Sequence, residues 1–123
     1  MHIARKDKVE KPVINSSGEH VFEMIGNPSE LGGAIQHSFA HVVIPSGCSS
    51  QLHYHPQAEE TYYILKGSGK MIVDDKEFLV KPGDTIFIAP PERHLIFANG
   101  NEDLEFAAIC APAWEPTNSV FLD

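Results

Sequence analysis

Two histidines one residue apart and two adjacent glutamates lie in one short stretch of the chain, HYHPQAEETYYILKG, which runs from His53 to Gly67. On a β-strand, side chains two residues apart point to the same face, so the imidazoles of His53 and His55 can reach one ion. Imidazole and carboxylate groups are ligands of divalent transition metals. The stretch therefore indicates part of a metal site, and two solvated histidines on a polar strand are the alternative interpretation.

A third ligand has to come from a neighbouring strand, and only one of the two glutamates can point to the same face of it. Glu60 alternates in phase with Tyr62, whereas Glu59 points to the opposite face. His94, which follows the turn APPER, is a fourth candidate. Its distance along the sequence requires a fold in which remote strands return to one place, as they do in a barrel.

These residues resemble the first motif of the cupin family, G-x5-H-x-H-x3,4-E-x6-G. In GCSSQLHYHPQAEETYYILKG, Gly47, His53, His55, Glu60 and Gly67 all stand at the motif's spacing. The motif places six residues between its glutamate and its last glycine, and this holds for Glu60 but not for Glu59. The resemblance thus implies that Glu60 is a metal ligand and that Glu59 is a solvated charge.

The second cupin motif, G-x5-P-x-G-x2-H-x3-N, is similar to GDTIFIAPPERHLIFAN. Gly83 and His94 occupy their expected places, while Ala89, Pro91 and Ala98 depart from the pattern. The resemblance implies four ligands, His53, His55, Glu60 and His94, for one divalent transition metal per chain. Three imidazoles and one carboxylate would leave an ion of net charge about +1 with one or two open positions. The ligand set permits Fe, Mn, Ni, Co or Zn and does not choose among them.

Two further side chains are candidates for contact with a substrate. Tyr62 lies two residues after Glu60 on the same strand face, and Gln51 shares the face of His53. The HYH sequence, Glu60, Tyr62 and His94 together partly resemble the cupin lyases that cleave dimethylsulfoniopropionate. That resemblance implies that Tyr62 is a catalytic acid–base residue. Gln51 is expected to line the substrate pocket.

The resemblance leaves more than one class of function open. The favoured class is an enzyme that acts on a small metabolite bearing carboxylate or hydroxyl groups, as a metal-dependent dioxygenase, lyase or isomerase. The second class is a binding or sensing cupin that uses the metal as an anchor without turnover. A structural role like that of seed-storage cupins is the third and least favoured class.

The elements that must position these residues are short strands. Apolar and β-branched runs such as ETYYIL, KMIV and TIFIA alternate with turn sequences such as KGSG, DDK and KPGD. This pattern predicts an all-β sandwich or barrel, and the cupin resemblance specifies a double-stranded β-helix, or jelly-roll barrel. We expect an N-terminal arm or edge strand over 1–20, a single barrel over 21–112, and a C-terminal tail over 113–123 that packs on the barrel.

The composition of the chain indicates which classes of partner and which cellular location to expect. The formal net charge is −8, with nine Lys and Arg residues, and this argues against a nucleic-acid partner. The apolar runs are too short to span a membrane, and the first residues lack the apolar segment of a signal peptide, so we expect a cytoplasmic protein. The expected partner is a small-molecule substrate, and the resemblance to small cupins implies a homodimer.

Overall fold

The computed structural model describes residues 1–122, and within that range the regular structure consists of β-strands and three short 3-10 helices. The strands are β1 (Val13–Ile14), β2 (His20–Ile25), β3 (Ser38–Ile44), β4 (His53–Tyr54), β5 (Glu59–Lys66), β6 (Gly69–Val73), β7 (Lys76–Val80), β8 (Thr85–Ile88), β9 (His94–Ala98), β10 (Leu104–Ala111) and β11 (Val120–Phe121). The 3-10 helices are η1 (Lys6–Lys8), η2 (Ser29–Leu31) and η3 (Pro116–Asn118). The prediction of an all-β fold is confirmed. None of the helices in residues 1–122 has the length and apolar character needed to cross a membrane.

The strands form two antiparallel sheets. One sheet has six strands in the order β1-β2-β3-β10-β5-β8, and the other has five in the order β11-β4-β9-β6-β7. Consecutive strands of the sequence repeatedly change sheet, as in a jelly roll, where two sheets face each other across one core. The double-stranded β-helix expected from the sequence is therefore the observed architecture.

Side-chain alternation explains which face of each strand is buried. On β5, Glu60, Tyr62 and Ile64 are buried, whereas Tyr63 and Leu65 are 44% and 45% exposed. The same period of two places the buried side chains of both sheets between them. The core cluster contains Val42, Ile44, Tyr62, Ile64, Met71, Val80, Ile88, Ile96, Ala98, Leu104 and Phe106.

Two turns fix the register of β5, which carries Glu60, and of β6, which pairs with the His94 strand β9. Asp74 and Asp75 have φ of 46° and 70° and form the two-residue turn between the paired residues Val73 and Lys76. Asp tolerates this left-handed region, which two-residue hairpins favour. Gly67 has φ of 79°, and a Cβ there would collide with the backbone of Asp103. A glycine is required at the end of β5, which sets the position of Glu60 along that strand.

The two ends of the described chain each add a short strand. β1 pairs with β2 at the edge of the six-stranded sheet. After β10, the chain runs through η3 to β11, which pairs with β4 so that Phe121 lies opposite His53. The backbone N–H of Trp114 donates to the Ser38 hydroxyl, and its indole N–H donates to the Ser119 hydroxyl. The segment 113–122 is thus anchored beside the strand that carries the histidine pair.

Candidate metal centre

The structure brings His53, His55, Glu60 and His94 together, with one potential ligand atom from each within 4.8 Å of all the others. His53 lies on β4, His55 directly after it, Glu60 on β5 and His94 at the start of β9. His53 and His94 are paired residues of β4 and β9, while Glu60 comes from the opposite sheet. The cluster therefore joins the two sheets, and His55, Glu60 and His94 are buried.

Each imidazole is held through Nδ1 by a backbone carbonyl. His53 Nδ1 lies 2.7 Å from the Gln51 carbonyl oxygen, and His94 Nδ1 lies 3.0 Å from that of Glu92. His55 Nδ1 lies 2.9 Å from the carbonyl oxygen of Asn118. A carbonyl can only accept, so Nδ1 carries the proton in all three rings, and a neutral ring then keeps its lone pair on Nε2. Such outer hydrogen bonds are usual for histidines that bind metals.

The free ring nitrogens face the carboxylate of Glu60. Glu60 Oε1 lies 3.2 Å from His55 Nε2 and 3.0 Å from His94 Nε2. A neutral Nε2 and a carboxylate oxygen are both acceptors, so this arrangement needs a proton or a cation between them. Two ligands at roughly 2.1 Å from one ion and at right angles to each other are roughly 3.0 Å apart. The spacing and the donor set fit a divalent transition metal.

Burial and mutual contacts shift the protonation equilibria of three members of the cluster. Burial lowers the pKa of His53 to about 4, and the charge of His94 adds to this effect, so this ring is neutral at pH 7. Burial alone would raise the pKa of Glu60, but the hydrogen bonds that His55 and His94 donate in the metal-free cluster, when Nε2 also carries a proton, outweigh burial and bring the value to about 2. Burial opposes protonation of His55, yet its contact with Glu60 leaves its pKa raised. At neutral pH the site thus offers a carboxylate anion and at least one neutral imidazole.

The cluster opens on a cavity of about 830 Å³, a volume within the usual range of small-molecule sites. Both residues proposed from sequence to meet a substrate, Tyr62 and Gln51, line it. The Tyr62 ring centroid is 6.1 Å from that of His94 and 4.4 Å from that of Phe106. Burial, followed by the charges of Glu60 and Glu19, raises the pKa of Tyr62 well above its ordinary value, which keeps the phenol protonated.

Sequence reasoning missed Glu19, which precedes β2 and lines the same cavity. Asn15 Nδ2 donates to Glu19 Oε1 over 2.7 Å. Burial raises the Glu19 pKa to about 7, the Asn15 hydrogen bond lowers it, and the charge of Glu60 contributes a further increase. The signal that could have found it is the alternation of Glu19, Val21, Glu23 and Ile25, which places all four side chains on one strand face.

Sequence reasoning also missed the contribution of the C-terminal segment. Ser119 Oγ lies 3.0 Å from His55 Nδ1 and accepts the indole hydrogen bond of Trp114. Trp114, Ser119 and Phe121 line the cavity. No local pattern could have found the contact to His55, because Ser119 and His55 are sixty-four positions apart.

Comparison with known families gives one match that covers more than half of the chain. A family model described as a cupin domain matches residues 40–110, which include both histidines of the pair, Glu60 and His94. An uncharacterized protein of Methanocaldococcus jannaschii is 36% identical over 117 residues, 95% of this chain and 91% of that protein.

Two further proteins are similar over part of their length. An oxalate-binding protein of Thermotoga maritima is 42% identical over 71 residues, which are 58% of this chain and 59% of that protein. A crystal structure of Lactobacillus farciminis oxalate decarboxylase in complex with formate is 26% identical, with a TM-score of 0.79 over 91% of this chain. The chain spans only 33% of that decarboxylase.

Proposed function

Because the chain belongs to the cupin family, we propose that it is a divalent-metal-dependent enzyme acting on a small molecule that bears carboxylate or hydroxyl groups. The reaction types we propose are oxygenation, elimination or isomerisation. The observation that carries the proposal is the convergence of three Nε2 atoms and Glu60 Oε1 in a buried cluster that opens on a cavity. A bound divalent ion would supply Lewis acidity and open positions for substrate or water.

We assign the four ligand positions to His53, His55, Glu60 and His94. His94 is fully buried and bonded on both sides, through Nδ1 to the Glu92 carbonyl and through Nε2 toward Glu60. An imidazole that is held in this way has no freedom to turn Nε2 out of the cluster. The chain thereby orients the donor before any ion arrives, which lowers the entropy cost of binding.

We assign Tyr62 the role of an acid–base residue in elimination or isomerisation, and Gln51 that of a polar contact to the substrate. Both line the cavity beside the ligand cluster. Tyr62 is a protonated phenol before the reaction begins. The first step that we assign to it is therefore donation of a hydrogen bond or a proton to a substrate oxygen. Core packing against Phe106 fixes its ring, which favours a defined direction for that donation.

A binding or sensing cupin without turnover is the second candidate. The observation in its favour is the identity of 42% over 71 residues with a protein described as oxalate-binding. The ligand cluster would serve both candidates equally, so turnover decides between them. For either candidate we propose a cytoplasmic location and a homodimer. Light scattering on purified protein would test the dimer.

Metal analysis tests the proposal directly. The protein should be purified without a nickel column and analysed by mass spectrometry for Fe, Mn, Ni, Co and Zn, with one ion per chain expected. His94→Ala should reduce occupancy, while the exposed His37→Ala is the matched control and should not. An oxygen electrode with small hydroxy acids and diols then separates oxygenation from the other reactions. A wild-type protein that takes up none of these metals would overturn the proposed function.

A further inference from the structure

The cavity next to the ligand cluster is lined by several acidic side chains, and the only basic side chains that line it within residues 1–122 are the cluster's own histidines. Besides Glu60, the carboxylates of Glu19, Glu23 and Glu115 line it, and neither Lys nor Arg does so within residues 1–122. Glu115 is exposed, whereas Glu19 and Glu23 are partly buried. Apart from a bound ion and the histidines that would hold it, no cationic side chain of residues 1–122 lines the cavity to offset the repulsion that an anionic ligand would meet from these carboxylates.

Glu19 is the carboxylate best placed to act on a ligand. It shares the cavity with His53, His55 and Glu60, and its charge acts on both Glu60 and His94. Asn15 holds Oε1, which fixes the carboxylate group while Oε2 accepts no side-chain hydrogen bond from residues 1–122. Because Glu19 lines the same cavity as the ligand cluster, its Oε2 can accept a hydrogen bond from a hydroxyl of a bound molecule.

The remainder of the wall is mainly apolar with some neutral polar side chains, and the cavity is larger than a two-carbon acid needs. Val21, Ile25, Val42, Ala108, Trp114 and Phe121 are among the residues that form it. Sites of about 300–1,000 Å³ bind molecules of drug size through mainly apolar walls with a few placed polar groups. A volume of about 830 Å³ therefore suits a ligand with an apolar body.

On the basis of the proposed metal site, we propose that the cavity selects a neutral ligand with an apolar body and a hydroxyl that faces Glu19, and discriminates against small dianions such as oxalate. The hydroxyl donates a hydrogen bond to Glu19. If the proton transfers, the ligand O–H bond breaks, a Glu19 O–H bond forms, and the ligand oxygen keeps the electron pair. No oxidant or reductant takes part.

Calorimetric titration of the metal-loaded full chain with catechol and with oxalate tests this selectivity. The titrations compare wild type with Glu19→Gln, at about pH 8.5, where the wild-type carboxylate is ionised. Metal content is measured in every sample. Glu19→Asp retains the charge, and Glu59→Gln, on the exposed opposite face of β5, is the matched charge-removal control.

We expect Glu19→Gln to raise the oxalate-to-catechol ratio of association constants about a hundredfold, the effect of one unit charge on a dianion about 12 Å away at an effective dielectric of about 20. Glu59→Gln and Glu19→Asp should retain the wild-type ratio. Glu23→Gln should raise the oxalate-to-catechol ratio by a smaller factor. If Glu19→Gln does not fold, the ratio measured for Glu23→Gln tests the inference in its place. An unchanged ratio in variants that retain the metal overturns this inference alone. A wild-type chain that binds no metal overturns the proposed function as well.

Discussion

Replacing Glu19 by Gln should stabilise the metal-free protein at alkaline pH and leave its stability nearly unchanged in acid. The folded chain raises the pKa of this carboxyl from 4.5 to about 7, because burial disfavours its charged form. A carboxyl whose pKa is higher in the folded state does not lower the free energy of unfolding at a pH below its unfolded-state pKa. It lowers that free energy by the full amount at a pH above its folded-state pKa. The cost should therefore develop between pH 4.5 and about 7 and persist above that range.

The magnitude follows from the same interval. At about 1.4 kcal/mol per pH unit, the rise from 4.5 to about 7 corresponds to about 3 to 4 kcal/mol, of which roughly three quarters develops between pH 5 and pH 8.5. Gln has nearly the same shape as the neutral carboxyl and can retain the Asn15 contact. The free energy of unfolding of the variant, relative to wild type, should thus rise by about 2 kcal/mol or more across this range.

Urea unfolding with EDTA present, followed by circular dichroism at several pH values, measures this difference. Contributions from the other titrating groups are shared by both proteins and largely cancel. Glu59→Gln is the control, because Glu59 is exposed, and its stability relative to wild type should be flat with pH. A difference between Glu19→Gln and wild type that stays constant from pH 5 to 8.5 would refute the assignment of Glu19 as a buried, destabilised carboxylate.

Three further predictions concern the ligand cluster. His94→Ala should lose most of its metal, as measured by mass spectrometry at fixed total metal, because a fully buried ligand is removed; full occupancy would exclude His94 from the site. Removal of metal with EDTA should lower the melting temperature but leave one cooperative calorimetric transition, since metal at a thousandfold excess over its Kd adds only about 4 kcal/mol to an independent core; a disordered metal-free chain would contradict this. Once a substrate is known, Tyr62→Phe should reduce kcat by about 10²–10⁴-fold with metal retained. The control Tyr63→Phe, on the exposed face of β5, should not reduce it. A normal rate in Tyr62→Phe would leave Tyr62 a packing role only.

The fold and the ligand cluster could be predicted because both depend on short-range regularities. Turn residues mark the strand ends, a period of two allows only one of Glu59 and Glu60 to point inward, and the spacing to Gly67 in the cupin motif selects Glu60, as the buried Glu60 and exposed Glu59 confirm. Motif spacing then identifies the remote His94. In each case the information lies in residue type at a fixed interval.

The rest of the site could not be predicted because it depends on tertiary contacts. Glu19 lies in a polar stretch that resembles a solvated arm, and only the closed barrel buries its carboxylate and raises its pKa. The Asn118 contact to His55 spans sixty-three positions and has no sequence signature. The large apolar wall of the cavity likewise arises from strands and a terminal segment that meet only in the folded chain.

Each of the three imidazoles is held by a main-chain oxygen, that of Gln51, Glu92 or Asn118, and Ser119 Oγ adds a side-chain contact at His55 alone. Ring orientation is therefore encoded by the path of the backbone and not by the identity of these three side chains. Mutational scanning should find that substitutions at 51, 92 and 118 are far better tolerated by the metal site than single-residue deletions beside them. Over evolutionary time such positions can drift in sequence while their role persists, so a search for invariant residues would overlook half of the hydrogen bonds that shape the centre.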